Sequence, residues 1–362
     1  MSEITISAKK FVRFFDYLER IGLDAVAIGA TVNLVPARIA KLDPEQALPA
    51  QQYSRLYREG VQQMQRLKTP LPWGAGLGSE AFELMCHCVI AGRTLGDALR
   101  LAERYDRLLF PLVGHNMRLL DEPGEPYVRL SYRINVEEVD SILIPQQWDR
   151  AASKTTIARA SGLTVWHAFC GWLTGRALEA KELRVAAPYV GQEYYEGLAN
   201  VFHCPIYFDA DENTFSFPRE DLDRRVVQTT ESLAEFLKNS VYHLIASEKK
   251  PASTSAAIKS LVGGEMPRGL PSFAAVASML YMSESSLRRR LQQEDTSYQA
   301  IKDEVRCEVA IDKILNENAK VADVAELLGF TEASSFVRSF KSWTGQTPRA
   351  YREKMVALSD SR

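Results

Sequence analysis

A short pattern that occurs twice near the C-terminus, about 48 residues apart, constrains this chain most. The first copy, residues 276–291, reads Val-Ala-x-x-Leu-x-Met-Ser-Glu-x-x-Leu-x-Arg-x-Leu. The second copy, residues 324–340, reads Val-Ala-x-x-Leu-x-Phe-Thr-Glu-x-x-x-Phe-x-Arg-x-Phe. Each copy predicts a helix, a tight turn opened by a hydroxyl cap, and a second helix with an outward arginine. This is the sequence form of a helix-turn-helix, which lays its second helix in the major groove of DNA.

The composition indicates what class of protein contains the two copies of this pattern. The 362 residues, of which 46% are hydrophobic, suggest two or three domains with substantial cores. No apolar run approaches the roughly 18 residues of a membrane span, and the N-terminus lacks the apolar block of a signal peptide. Five irregularly spaced cysteines argue against a disulfide framework and fit a reducing compartment. We therefore expect a cytoplasmic protein that does not cross a membrane.

The overall charge does not by itself indicate a nucleic-acid partner. The formal net charge is −2, and from residue 252 onward 15 Lys and Arg stand against 14 Asp and Glu. Phosphate neutralisation depends on local placement rather than on the sum of charges. Any affinity for DNA must therefore come from basic side chains that cluster on one face.

Hydrophobic periodicity divides the chain into an α+β part and a helical part. Helical periods occur over residues 8–22, 46–67, 81–90, 95–109 and 157–178. Alternating segments predict a β-hairpin over 117–134 and further strands over 183–189, 206–208 and 214–217.

We predict three consecutive regions. Residues 1–247 form an α+β domain, and the polar, proline-containing residues 248–256 form a linker. Residues 257–357 form an all-α domain of two helix-turn-helix units joined by a linker helix. Within it, a short helix is expected to end at Val262 and a loop to begin at Gly263-Gly264.

The second helix of each copy is expected to present polar side chains opposite its core positions. Leu287 and Leu291 point inward in the first copy, and Phe336 and Phe340 do so in the second. Arginine can donate two hydrogen bonds to guanine, and serine can bond a base edge or a phosphate. A solvated helix face is the plainer interpretation of three adjacent arginines, but the repeated frame favours DNA reading. The candidate DNA contacts are Ser285, Ser286, Arg288, Arg289, Arg290, Ser334, Ser335, Arg338 and Lys341.

One helix is predicted between the two copies, from Ser297 to Leu315. At about 1.5 Å per residue it is about 28 Å long. Successive major-groove faces lie about 34 Å apart on one side of DNA. A rod of this length can hold two reading helices on neighbouring turns of the groove.

Residues 256–357 closely resemble the DNA-binding domain of the AraC/XylS family of transcription regulators. The most specific stretch is Phe336-x-Arg338-x-Phe340-Lys341-x-Trp343-x-Gly345-x-Thr347-Pro348-x-x-Tyr351-Arg352. The run Asp303-Glu304-Val305-Arg306 also carries the resemblance, and we add Arg306 to the candidate DNA contacts. The resemblance implies base-reading positions at Ser285, Arg289, Ser334 and Arg338. The chain departs from the family where Tyr281 and Asp295 stand in place of turn glycines.

The N-terminal part resembles the arabinose-binding-like sensor domain of one AraC subgroup. The matching stretches are Trp73-Gly74-x-Gly76-x-Gly78, the segment 94–105, and Phe202 to Phe208. This resemblance implies a small-molecule effector, whose identity the subgroup label does not give. Effector pockets are mostly apolar with a few polar anchors. Four aromatic residues are therefore candidates for lining the pocket, although each is also a candidate for the core: Trp73, Tyr105, Trp148 and Trp166.

The resemblance further implies promoter DNA and RNA polymerase as partners, and a homodimer would pair two binding sites. The alternative is that residues 1–247 bind no small molecule and serve only as a dimerisation or protein-interaction module. A third hypothesis, an enzyme fused to a DNA-binding domain, lacks a nucleophile, metal or cofactor motif. Cys86-His87-Cys88 would diverge by about 100° per residue on a helix, so these side chains cannot easily share one ion. We expect no enzyme activity, no cofactor and no metal.

Overall fold

The computed structural model describes residues 4–66, 76–135, 150–238, 240–242, 254–265, 270–316 and 319–356. Internal contacts divide the chain into two compact units. One unit is Val61–Ala257, and the other combines Met1–Gly60 with Ile258–Arg362. The predicted linker lies outside the described residues up to 253, and Thr254 already opens a helix.

The first sixty residues form a helical segment closed by a short two-stranded sheet. Strand β1 (Thr5–Ser7) pairs antiparallel with β2 (Ala47–Pro49). Between them lie α1 (Ala8–Arg20), α2 (Ala25–Thr31) and α3 (Pro36–Ile39), and α4 (Ala50–Arg66) follows β2. The helix predicted over 46–67 thus starts later than expected, because residues 47–49 pair as a strand. Phe11 and Phe14 of α1 pack on Tyr53 and Tyr57 of α4, with ring centroids 5.3 and 5.4 Å apart.

The unit Val61–Ala257 is α+β, the class predicted for residues 1–247. Its helices are α5 (Glu80–Val89), α6 (Leu95–Val113), α7 (Arg150–Thr174), α8 (Gln192–Phe202) and α9 (Thr230–Lys238). Its strands are β3 (His115–Leu120), β4 (Tyr127–Ile134), β5 (Glu182–Arg184), β6 (Ile206–Tyr207) and β7 (Thr214–Pro218). They form one sheet in the order β3-β4-β7-β5-β6, antiparallel except for the β5–β6 pair. The predicted hairpin is confirmed, whereas the strand expected over 183–189 ends at Arg184.

Helix α7 packs closely against the sheet. A Cβ atom placed on Gly162 would overlap the buried ring of Tyr132 on β4, so glycine permits this approach. Farther along α7, Trp172 stacks on Phe236 of α9 with ring centroids 4.3 Å apart. His167 lies 2.8 Å from the carbonyl oxygen of Leu178 through its Nε2 atom, and burial lowers its pKa to about 4. Its imidazole is therefore a neutral part of this core.

The C-terminal residues are all helical, as predicted. The helices are α10 (Thr254–Glu265), α11 (Phe273–Met279), α12 (Glu284–Gln293), α13 (Tyr298–Asn316), α14 (Val321–Leu327), α15 (Ala333–Thr344) and α16 (Pro348–Val356). The loop expected from Gly263 is wrong, because α10 continues through both glycines to Glu265. Four buried residues on α10, Ala257, Ile258, Leu261 and Val262, give the helix a packed face that overrides the low helix propensity of glycine.

Candidate nucleic-acid interface

The first helix-turn-helix unit consists of α11 and α12. Ser272 caps α11 by accepting a hydrogen bond from Ala275 N at 3.1 Å, and Ser283 caps α12 by accepting one from Ser286 N at 3.2 Å. Each cap satisfies an amide that would otherwise lack a partner at the helix start. Leu287 and Leu291 are buried, which confirms the inward positions predicted for α12.

The outward face of α12 presents three exposed candidate contacts, Ser285, Arg288 and Arg289, while Ser286 and Arg290 are half-buried. The Ser283 hydroxyl lies 3.0 Å from the Ser285 hydroxyl and donates to the Ser286 hydroxyl at 2.9 Å. The Arg288 guanidinium lies 5.6 Å from the centroid of the Phe273 ring on α11. That cation–π contact holds Arg288 against α11.

The second unit consists of α14 and α15. Phe336 and Phe340 are fully buried, and Phe330 contacts the Phe336 ring at 5.7 Å. Ser334, Arg338 and Lys341 are exposed and Ser335 is half-buried. Arg338 Nη2 donates to Ser335 Oγ at 3.0 Å, which orders the guanidinium beside its own helix. Val321 and Phe330 are half-buried.

The hydroxyl cap expected at Thr331 is not formed. The N-cap of α15 is Glu332, whose side chain makes no capping hydrogen bond and instead accepts from Ser334 Oγ at 3.0 Å. The second copy has one extra residue between its glutamate and its first core aromatic. Helix α15 therefore starts one residue later in the pattern. Its N-cap, Glu332, lies four residues before Phe336, just as the N-cap Ser283 lies four residues before Leu287.

Both units reverse direction through a left-handed residue. Tyr281 has φ 53° and Gly329 has φ 76°, and Asp295, the other departure from the family pattern, has φ 49°. The turn hydrogen bonds match, with Met282 N to Ala277 O at 2.8 Å and Phe330 N to Ala325 O at 2.9 Å. The first unit thus adopts the expected backbone without glycine, at the cost that an L-residue incurs in this region.

Gly329→Ala is expected to lower the free energy of unfolding by about 1–2 kcal/mol, because the left-handed backbone is unfavourable for an L-residue. No atom lies within 4 Å of the added Cβ, so the change tests backbone conformation alone. Gly197→Ala in α8 is the matched control, because it also meets open space but has no positive φ. We expect the control to stabilise by about 0.5–1 kcal/mol. Urea denaturation measures both, and a neutral Gly329→Ala would contradict the strained turn.

Helix α13 joins the units and has 19 residues, or about 28 Å. At its start, the Tyr298 hydroxyl donates to Pro271 O at 2.5 Å, and burial raises the pKa of Tyr298 to about 12. Lys259 of α10 forms an ion pair with Glu304. Burial lowers the pKa of Lys259, but the carboxylates of Glu308 and Glu304 outweigh this effect, and the net result is a raised pKa. At its end, Arg352 of α16 donates to Ile314 O at 3.1 Å and to Ala319 O. The spacer is therefore fixed to its neighbours at both ends.

Arg306 lies on the inner side of this spacer. Its guanidinium is 5.6 Å from the Phe330 ring centroid and 3.6 Å from the Asp303 carboxylate, and the side chain is half-buried. In this respect Arg306 differs from the exposed DNA-contact candidates on α12 and α15. Its partners give Arg306 a structural place between α13 and the second unit.

Two of the four candidate effector contacts, Trp73 and Trp148, lie outside the described residues. Tyr105 donates to Ala81 O at 2.8 Å, and burial raises its pKa. Trp166 is 2% exposed and packs edge-on against Phe169. Its indole N–H has no hydrogen-bond acceptor within the described part of the chain. His115 Nδ1 is also buried and has no hydrogen-bond partner among these residues. Sequence reasoning missed His115, whose pKa burial lowers to about 4.

Other chemistry finds little support in the described residues. No group of three His, Cys, Asp or Glu side chains among them is arranged to hold a metal ion. The thiols of Cys86 and Cys170 are free and buried, and burial raises the pKa of both. None of the described helices has the length and apolarity needed to cross a bilayer.

Two family models match the chain. Residues 276–354 match a helix-turn-helix domain, and residues 22–226, more than half of the chain, match the arabinose-binding domain of AraC transcription regulators. The chain belongs to the AraC family. It is a DNA-binding transcription regulator, and both the two-part fold and the sensor subgroup predicted from the sequence are confirmed.

The chain is also similar to two curated regulators and to one solved structure. The ornithine utilization regulator of Pseudomonas aeruginosa is 25% identical over 77% of this chain and 77% of its own length. The regulator VqsM of the same species is 25% identical over 73% of this chain and 77% of its own. The crystal structure of the regulator CdpR from Pseudomonas aeruginosa covers 95% of this chain and 98% of its own, at 22% identity and a TM-score of 0.32.

Proposed function

We propose that this AraC-family regulator reads promoter DNA through α12 and α15, placed in successive major grooves. The supporting observation is that each helix buries one apolar face and exposes an arginine, Arg289 or Arg338, and that a spacer helix of about 28 Å joins the two units. Ser285 and Ser334, exposed in the first turn of each helix, would share the base contacts. The other candidates would contact phosphates or flanking bases: Ser286, Arg288, Arg290, Ser335 and Lys341.

Arg306 is better suited to holding the second unit than to contacting DNA. Its charge is already engaged by Asp303 and by the Phe330 ring. Moving it to a phosphate would break both interactions. The proposed DNA-contact set therefore omits Arg306.

Arg338→Ala is expected to weaken binding to a selected operator by about 1–3 kcal/mol and to relax base preference at one position. The operator is selected by the wild-type protein from a random duplex library and measured by titration at fixed salt. Lys341→Ala, on the same helix, should weaken operator and random DNA alike if it contacts phosphate. Arg184→Ala on β5, which removes the same charge outside the DNA-reading helices, is the control and should leave both affinities unchanged.

The outcome that contradicts base reading by Arg338 is an equal loss of affinity on operator and random DNA. A wild-type chain that folds but enriches no sequence from the library would reject the proposed function itself.

The α+β unit would respond to a small molecule and shift the population between regulatory states. This role is supported by the match to an arabinose-binding domain and by the buried N–H of Trp166, which has no acceptor among the described residues. The protein would act as a homodimer on promoters, in the compartment that holds the DNA, and would position RNA polymerase there. We propose a regulator rather than an enzyme, since its relatives are transcription regulators.

A ligand of the folded state must raise its stability. A thermal-shift panel should therefore include arabinose, ornithine and related amino acids, which the family model and one relative's name suggest. An unchanged melting temperature and DNA affinity across a broad metabolite panel would favour the alternative, a dimerisation module without a ligand.

A further inference from the structure

The N-terminal segment contains a third turn of the kind found in the two reading units. Helices α2, α11 and α14 each have seven residues, and each leads to a residue with positive φ, respectively Asn33, Tyr281 and Gly329. Leu34 N donates to Gly29 O at 2.8 Å, the same hydrogen bond as in the reading turns. Asparagine is among the non-glycine residues that tolerate this conformation best.

This third unit is not built to read DNA. Its second helix, α3, has four residues, Pro36 to Ile39, whereas α12 and α15 have ten and twelve. Four residues give about 6 Å of helix, too short to follow a groove. Ala37, exposed on α3, offers no hydrogen bond to a base edge.

The segment instead contacts the C-terminal end of the spacer helix α13, within the same compact unit. Asn33 Nδ2 donates to Leu315 O at 3.3 Å. Arg55 of α4 forms an ion pair with Asp312, one turn earlier on α13. The last four carbonyls of a helix lack intrahelical partners and carry its negative dipole end, so an amide donor and a cation are favourable there.

The docked segment leaves the reading faces open. Ser285, Arg289, Ser334 and Arg338 are all exposed while Asn33 and Arg55 engage α13. The contact therefore does not block DNA by covering it. It acts at the end of the spacer that Arg352 also ties to α16, where the chain passes to the second reading unit.

We propose that residues 4–60 are a non-reading third unit of the DNA-binding module, which docks on the end of α13 through Asn33 and Arg55. Docking fixes the second reading unit at the spacing that the operator requires. The proposal rests on the proposed function of α12 and α15.

Charge exchange in the full-length protein tests this docking. Arg55→Asp and Asp312→Arg should each weaken binding to the selected operator about fivefold, as expected for losing a partly exposed ion pair. The double variant should restore affinity to within about twofold of wild type. Each single variant should also discriminate less against an operator whose half-sites are moved apart by one base pair. A duplex that carries only the half-site for α12 should bind the wild type, both single variants and the double variant with the same affinity.

Asn33→Gly is a milder variant, because glycine keeps the left-handed turn while removing the amide that bonds Leu315 O. It should reduce the spacing discrimination without lowering the melting temperature measurably. Lys9→Glu is the matched control, since it disrupts the Lys9–Glu45 ion pair, which joins two residues of the same segment. The control should bind and discriminate as wild type.

Folded single variants that keep wild-type affinity and spacing preference would overturn the docking proposal, as would a double variant that restores neither. Equal weakening on the half-site duplex would also overturn it, because that result indicates general loss of the domain. These results differ from failure of the proposed function, in which the wild-type chain itself selects no operator.

Discussion

Phe336→Ala is expected to lower the free energy of unfolding by about 3–5 kcal/mol, the range for removing a fully buried aromatic ring. Phe336 is 0% exposed, and its ring lies 5.7 Å from the rings of both Phe330 and Phe340. Removing the Phe336 ring opens a void between the rings of Phe330 and Phe340. Because Arg338 lies two residues along the same helix, the second unit should also lose its specific DNA contacts.

Ser334→Ala is the matched control for this change, because Ser334 lies on the same helix but is exposed. We expect it to leave stability within about 0.5 kcal/mol of wild type while weakening operator binding. Chemical denaturation, with hydrogen exchange to localise the effect to α15, distinguishes the two variants. A Phe336→Ala protein of wild-type stability would show that this ring does not carry the core of the second unit.

Gly162→Val is expected to destabilise the α+β unit by about 3 kcal/mol, the upper end of the range for overpacking a filled core. A single Cβ at this position already overlaps the Tyr132 ring, and valine adds two further carbons. Tyr132 is 0% exposed on β4, so its ring is enclosed by the core. The unit should unfold at lower temperature while the helical DNA-reading residues keep their structure.

Replacing Tyr132 by a smaller side chain provides the control. Tyr132→Leu alone should be destabilising because it leaves a cavity. Combined with Gly162→Val, it should cost less than the sum of the single changes, since the two residues are in contact. Additive losses in denaturation experiments would mean that the close approach of α7 and β4 does not cause the destabilisation.

The DNA-reading part was predictable because its information is local. Spacings of four residues between Leu287 and Leu291, and between Phe336 and Phe340, decide which face of each helix is buried. The hairpin was predictable for the same reason, since alternation and a Pro-Gly turn set its register. The shifted start of α15 follows from the extra residue in the second copy, which the helical period could have revealed.

The parts that sequence reasoning missed depend on contacts far apart in the chain. Arg306 was proposed as a DNA contact from its neighbours in sequence, and its contact with the Phe330 ring, 24 residues away, could not be inferred from them. Asn33 is 282 residues from Leu315, and no local pattern indicates that hydrogen bond. Gly263 and Gly264 were taken for a loop because local propensity was weighed without the packed face of α10.

Each reading helix closes a core of its own, with leucines under α12 and aromatic rings under α15. The side chains that we propose to face DNA are therefore separate from those that form the two cores. Under the proposed function, substitutions at Ser285 and Arg289 would change which bases one half-operator must contain and leave the preference of the other half unaltered. A lineage with this architecture would then acquire new promoters one half-site at a time, through intermediates that still fold and still bind.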